Sequence, residues 1–163
     1  LLSSILVLIF TSLQLGVISR IPLQNGMADI ALLFVVMWSL HPQAKRFYIP
    51  TLLAGGLMTF ISSVPVPAVL ISYVVAAVLT RYLVNRLWEM PVFSMLIITV
   101  VATFLQHLLY ILMMQFQGSS IPFLASLQEI TLPSIFLSII FAFPMYLLVR
   151  DAQKLVYQEV ENE

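Results

Sequence analysis

His107 has the clearest potential for chemistry in this 163-residue chain, because it lies in the middle of a long apolar run. An ionisable group at membrane depth is costly to keep there, so it is a functional candidate by default. Polar side chains recur around it at helical spacings of three and four: Thr99, Thr103, Gln106 and Tyr110. This stripe is either a ligand or proton path or a seam of hydrogen bonds between helices. We favour the seam, because His107 has no partner acid on a neighbouring apolar run.

Asp29 is the second candidate, since it directly precedes the apolar run Ile30 to Leu40. An aspartate at this position can cap a helix, because its side chain accepts amide hydrogen bonds and meets the positive end of the helix dipole. Asp29 could instead pair with Arg20 or contact a partner protein. The cap is the interpretation we favour.

The residues needed for catalysis are not found together in this sequence. Glycine-rich phosphate loops, HExxH, GxSxG and acids paired across two apolar runs are all absent. The chain has no cysteine, which excludes a thiol nucleophile, disulfides and cysteine metal sites. An intramembrane enzyme using His107 would lack a second acid or nucleophile. We therefore predict a protein that is not an enzyme and needs no cofactor or metal.

The composition predicts an integral membrane protein. Hydrophobic residues make up 61% of the chain and charged residues only 9%, with a mean hydropathy of +1.07, whereas about a quarter of the residues of a soluble domain are charged. The seven basic and seven acidic residues cancel, so no basic field indicates nucleic-acid binding. The expected surroundings are a lipid bilayer.

Six apolar segments predict an all-α transmembrane domain over residues 1–150. The predicted spans are residues 1–19, 29–41, 47–64, 68–84, 91–116 and 131–149. A helix needs roughly 20 residues to cross the hydrocarbon; the second segment just reaches that length with its flanks, and we expect lipid around both arms of the hairpin that it forms with the third. The loop 117–130 has the spacing of a short interfacial helix, and residues 151–163 are expected to form a cytoplasmic amphipathic tail.

The distribution of cations predicts the orientation. One face collects six of the seven basic residues: Lys45, Arg46, Arg81, Arg86, Arg150 and Lys154. The other face has only Arg20. Because basic residues favour the cytoplasmic side, both termini are expected in the cytoplasm.

Two further features suggest contacts. Trp38 is expected near the cytoplasmic headgroups, where it would belong to the aromatic belt. Gly55 and Gly56, together with Ala54, form a patch of small residues that allows another helix to approach closely. That helix could belong to this chain or to a partner.

Asp29, Trp38 and the segment GGLMTFI from Gly55 to Ile61 occur at spacings that resemble the MreD family, the membrane subunit of the bacterial cell-elongation machinery. The Leu13-Gln14 pair near the end of the first span also fits. The chain departs from the family pattern in two places. Ala28 stands before Asp29 where the family has proline, and Thr59 stands where the family usually has an acid.

The resemblance implies a compact six-helix bundle similar to the substrate-binding (S) component of energy-coupling-factor transporters. It also implies a non-enzymatic scaffold in the bacterial cytoplasmic (inner) membrane that binds MreC within the Rod complex. Through MreC it would connect MreB filaments with the RodA glycosyltransferase and its partner transpeptidase, supporting cell shape and sidewall peptidoglycan synthesis.

An S component that binds a small solute is the alternative function. It requires polar side chains that converge in a pocket under the external loops, with the loop 117–130 as a lid. Candidate ligands are Asn25, Asp29 and the polar residues from Gln117 to Gln128.

Overall fold

The computed structural model describes residues 2–16, 26–84, 86, 91–119 and 122–158. This part of the chain is all-helical, which confirms the predicted class. Its α-helices are α1 (Leu2–Gly16), α2 (Ile30–Leu40), α3 (Tyr48–Ile61), α4 (Val66–Val84), α5 (Pro91–Phe116), α6 (Phe123–Ser126) and α7 (Leu132–Gln158). A π-helical turn, Leu127–Thr131, joins α6 to α7. Six principal helices fit the predicted bundle, and the short α6 lies in the loop where a short helix was expected.

Three helical stretches are long and apolar enough to cross a membrane: Val66–Val84, Val92–Phe116 and Phe123–Lys154. The first three helices are shorter. With 11 residues, α2 is only about 16 Å long at 1.5 Å per residue. This length is about half of the hydrocarbon thickness of a bilayer.

The short α2 lies at the centre of the bundle. All of its residues from Ile30 to Ser39 are buried, and it contacts α1, α3, α4, α5 and α7. A helix that is apolar on every side is typical of such a buried position. The expectation that α2 needs lipid around it is therefore wrong: protein surrounds it, so its length need not match a bilayer.

Trp38 is part of this core, so the prediction of an aromatic-belt residue is wrong. Its side chain is only 4% exposed. Its ring lies 5.7 Å from that of Phe34, which in turn stacks on Phe10 of α1 at 5.2 Å. The physical reason is the central position of α2, which has no outward face on which a belt residue could lie.

The surroundings of Gly55 show which helix packs against the patch of small residues. A Cβ atom added there would lie 3.3 Å from the Cβ of Tyr73 on α4. The same test at Gly56 finds nothing within 4 Å. The close neighbour is thus internal to the chain, and only Gly55 is used for it.

The C-terminal end of α2 is held by side chains from α4 and α7. Arg81 donates to the His41 carbonyl at 2.8 Å, and its guanidinium lies 5.6 Å from the ring centre of Phe47. Gln153 donates to the Trp38 carbonyl at 2.9 Å. Each of these carbonyls also accepts one backbone amide, so the side chains add a second donor at the end of the helix.

Gln153 also shows that the chain does not divide at residue 150. α7 continues through that position to Gln158, and Gln153 is buried against α2. The first turns of the predicted tail therefore extend the last helix, because one of its polar side chains has a partner inside the bundle.

Candidate functional site

Asp29 joins three helices through its carboxylate. Oδ1 accepts hydrogen bonds from the Leu32 amide at 2.9 Å and from the Tyr73 hydroxyl at 2.8 Å. Oδ2 lies 2.9 Å from the same hydroxyl and accepts a bond of 2.7 Å from Gln106 Nε2. The predicted N-cap of α2 is confirmed, and the same carboxylate also fixes α4 and α5. Arg20, the alternative partner, lies outside the described residues.

The segment before α2 is fixed just as closely. Gln14 of α1 uses both ends of its amide: Nε2 donates to the Ala28 carbonyl at 2.9 Å, and Oε1 accepts from the Ile30 amide at 2.8 Å. The Met27 amide donates to Ser134 Oγ of α7 at 3.0 Å. Gly26 permits this approach, because an added Cβ would lie 2.6 Å from the Ser134 backbone nitrogen. The start of α2 is thus tied to α1 and α7 as well.

A cavity of about 390 Å³ opens beside Asp29. We call it the Asp29 cavity; it lies where α1 and α3 end and where α2 and α7 begin, beside the second half of α5. Its polar wall consists mainly of Gln14, Asp29, Gln106, His107, Tyr110 and Ser134. Its apolar wall includes Leu15, Met27, Met58, Ile61 and Ile130.

His107 lies between this cavity and a smaller one of about 200 Å³. Its imidazole stacks on the Tyr110 ring, with 6.4 Å between the ring centres. Within the described residues, no hydrogen bond joins the imidazole to another side chain or to the backbone. Sequence reasoning singled out His107 correctly as unusual, and the structure places it at a cavity wall.

The predicted polar seam on α5 is present at only part of its length. Gln106 bonds across to Asp29, and its Nε2 also lies 3.0 Å from the Tyr110 hydroxyl. The hydroxyls of Thr99 and Thr103 are buried without a hydrogen-bond partner in the described part of the chain. The seam is therefore one connection to α2 rather than a continuous ladder.

The other predicted site residues lie away from the cavity. Thr59 donates to the Gly56 carbonyl in its own helix, so this hydroxyl makes a local bond where the family usually has an acid. Trp38 and Gly55 belong to the core around α2. Of the six candidates, only Asp29 and His107 line the Asp29 cavity.

Sequence reasoning missed Tyr73, the partner of Asp29. Tyr73 is fully buried in α4, where its neighbours in sequence are mostly Val, Ala, Ile and Leu. A buried tyrosine hydroxyl usually has a hydrogen-bond partner. A Tyr in the middle of an apolar helix could therefore have indicated a polar partner on another helix. The hydrogen bonds of Gln14 and Ser134 to the segment before α2 were also missed, because their partners are backbone groups.

The polar side chains of the cavity wall can both donate and accept hydrogen bonds, and the described part of the wall holds no reactive pair. None of the described residues that line the cavity is Lys or Arg. No group of three or more His, Cys, Asp or Glu residues that could hold a metal ion occurs in the described ranges. The wall can therefore bind and orient a polar group, but it contains no nucleophile activated by a neighbouring base.

Comparison with known protein families, characterised proteins and solved structures found no match to this chain.

Proposed function

We propose that this chain is a multi-pass protein of the bacterial cytoplasmic membrane and acts as a non-enzymatic scaffold of the MreD type. Three long apolar helices support the membrane location. The positions of the basic residues support the orientation. Because successive helices alternate in direction, the described Lys and Arg residues lie at the same end of the bundle as Arg81. By the positive-inside rule this end faces the cytoplasm, and the Asp29 cavity then faces outward.

The observation that best supports a scaffold is that Asp29, Trp38 and Gly55, three residues of the pattern that resembles MreD, all lie in contacts between helices. Asp29 and Gly55 contact the same side chain, Tyr73, from two different helices. Trp38 packs in the core of the same α2 helix. These residues therefore build a rigid bundle, and the described site offers no reactive pair. A protein organised in this way acts through the shape of its outer surface.

That outer surface is apolar and extensive. Exposed aromatic side chains include Phe60, Phe93, Phe136 and Phe143, which suit contact with lipid or with a transmembrane helix of a partner. In our proposal the partner helix belongs to MreC, with its juxtamembrane segment against the cation-bearing end. MreB, RodA and the partner transpeptidase would join through this contact or beside it.

Affinity purification of the tagged chain from native membranes in mild detergent, followed by mass spectrometry, tests this function. We expect an MreC-like single-span protein together with cell-wall synthases. Recovery of a transporter energising subunit with its ATPases would contradict the scaffold and favour the solute-binding S component.

A matched pair of variants tests whether Asp29 only stabilises the bundle or also contacts the partner directly. Asp29→Asn and Tyr73→Phe both weaken the same internal connection, so each should lower partner recovery only in proportion to the loss of folded protein. A specific loss in Asp29→Asn, with Tyr73→Phe unaffected per folded molecule, would show that Asp29 contacts the partner itself.

A further inference from the structure

We propose that the Asp29 cavity binds a small molecule that carries a protonated amine next to an apolar body. This inference goes beyond the scaffold function and does not depend on which protein partner the bundle has. It rests on the charge, the wall chemistry and the size of the cavity.

The charge of the wall selects the amine. Among the described residues of the wall, Asp29 is the one acid and none is Lys or Arg, and Asp29 is partly exposed. Its oxygens already accept bonds from Leu32, Tyr73 and Gln106, which fixes the carboxylate in place. An ammonium group can add a charge-assisted bond to such a preoriented acceptor.

The same wall discriminates against anions. A carboxylate or phosphate ligand would be desolvated beside Asp29, with no cationic side chain among the described residues of the wall to pair with it. Burying a charge without a partner is costly, so the cavity rejects acids by repulsion as well as by the absence of attraction.

The remaining wall suits an apolar or aromatic body. Met27, Met58 and Ile130 supply apolar surface, and methionine adapts readily to different shapes. The rings of His107 and Tyr110, which stack on each other, add aromatic surface to the wall, which suits contact with an aromatic body.

The size of the cavity fits this class of ligand. About 390 Å³ falls within the range of roughly 300 to 1,000 Å³ that is common for small-molecule sites. His107 also borders the second cavity of about 200 Å³, so an apolar tail can extend past its ring.

Three probes with one indole body and one chain length test the head-group preference: tryptamine, tryptophol and indole-3-propionate. Binding to the purified full chain is measured by isothermal titration in detergent, with protein-free micelles as the blank. We expect tryptamine to bind at least about tenfold more tightly than tryptophol, the ratio equivalent to 1.4 kcal/mol, and indole-3-propionate not to bind.

Two variants and one control substitution assign the binding to this cavity. His107→Trp places a larger ring at the cavity wall and breaks no described hydrogen bond, so it should weaken tryptamine binding; Phe104→Trp, on the exposed side of the same helix, should not change it. Asp29→Asn should remove the preference for the amine over the alcohol. If Asp29→Asn fails to fold, the His107→Trp and Phe104→Trp pair still decides the location.

The proposal is overturned if tryptamine does not bind, if the alcohol or acid binds as tightly, or if His107→Trp leaves binding unchanged.

Discussion

Tyr73→Phe is the substitution that isolates the connection between α2 and α4. It removes one hydroxyl and keeps the ring that packs against Gly55. Tyr73 is fully buried, and its hydroxyl donates to Asp29 at 2.8 Å. The Leu32 and Gln106 donors remain on the carboxylate, which limits the damage.

The size of the effect follows from two ranges. Hydrogen bonds to charged groups contribute about 1.5–3 kcal/mol in soluble proteins, whereas bonds between membrane helices average about 0.6 and reach about 1.7 kcal/mol. Because the acceptor is a carboxylate and the site is buried, we expect Tyr73→Phe to lower the free energy of unfolding by about 1.5 kcal/mol, within both ranges.

Reversible unfolding by sodium dodecyl sulfate in mixed micelles, followed by circular dichroism, measures this change. Tyr48→Phe is the matched control, because Tyr48 is 51% exposed, and we expect it to stay within about 0.5 kcal/mol of the natural chain. In a double-mutant cycle with Asp29→Asn, the two substitutions should couple, since they share one bond. Additive effects, or a Tyr73→Phe loss no larger than that of the control, would refute the reasoning.

The same unfolding assay checks three further predictions. Gly55→Ala should be less stable than Gly56→Ala by about 1 kcal/mol, because both gain helix propensity but only the first meets Tyr73 at 3.3 Å; equal stabilities would contradict the α3–α4 packing. Arg81→Gln should lose about 1–2 kcal/mol, because the carbonyl of His41 loses a charged donor, and an unchanged midpoint would argue against that cap. Burial and, next, the Arg81 charge lower the pKa of His41 below its usual 6.5. Stability should therefore be complete above pH 6.5 and fall as the pH drops below it, because the unfolded chain binds the proton first; His41→Gln should flatten this decline, and an unaltered slope would assign it to another group.

The sequence predicted the features that depend on neighbours in the chain. Asp29 caps α2 because an aspartate directly before an apolar run has backbone amides within reach. Gln106 and His107 were recognised as unusual from their depth in an apolar helix. These inferences require only helical geometry.

The features that depend on packing between distant helices were not predicted. Trp38 was assigned to the membrane surface because its distance from the loop cations fits a belt residue, yet α2 lies inside the bundle and has no outward face. The uniformly apolar run from Ile30 to Leu40 was the signal for this position. The pairing of Asp29 with Tyr73 spans 44 residues, and no local pattern specifies such a partner.

Quenching of Trp38 fluorescence by brominated lipid tests the central claim that α2 is enclosed by the other helices. The chain has two tryptophans, so Trp88→Phe leaves Trp38 as the only reporter. The comparison chain carries Trp38→Phe, Trp88→Phe and Tyr82→Trp, because Tyr82 is 57% exposed and directly follows Arg81, which bonds to the end of α2. We expect brominated lipid to quench the tryptophan at position 82 strongly and Trp38 hardly at all. Equal quenching at the two positions would place Trp38 against lipid and would contradict the enclosed helix.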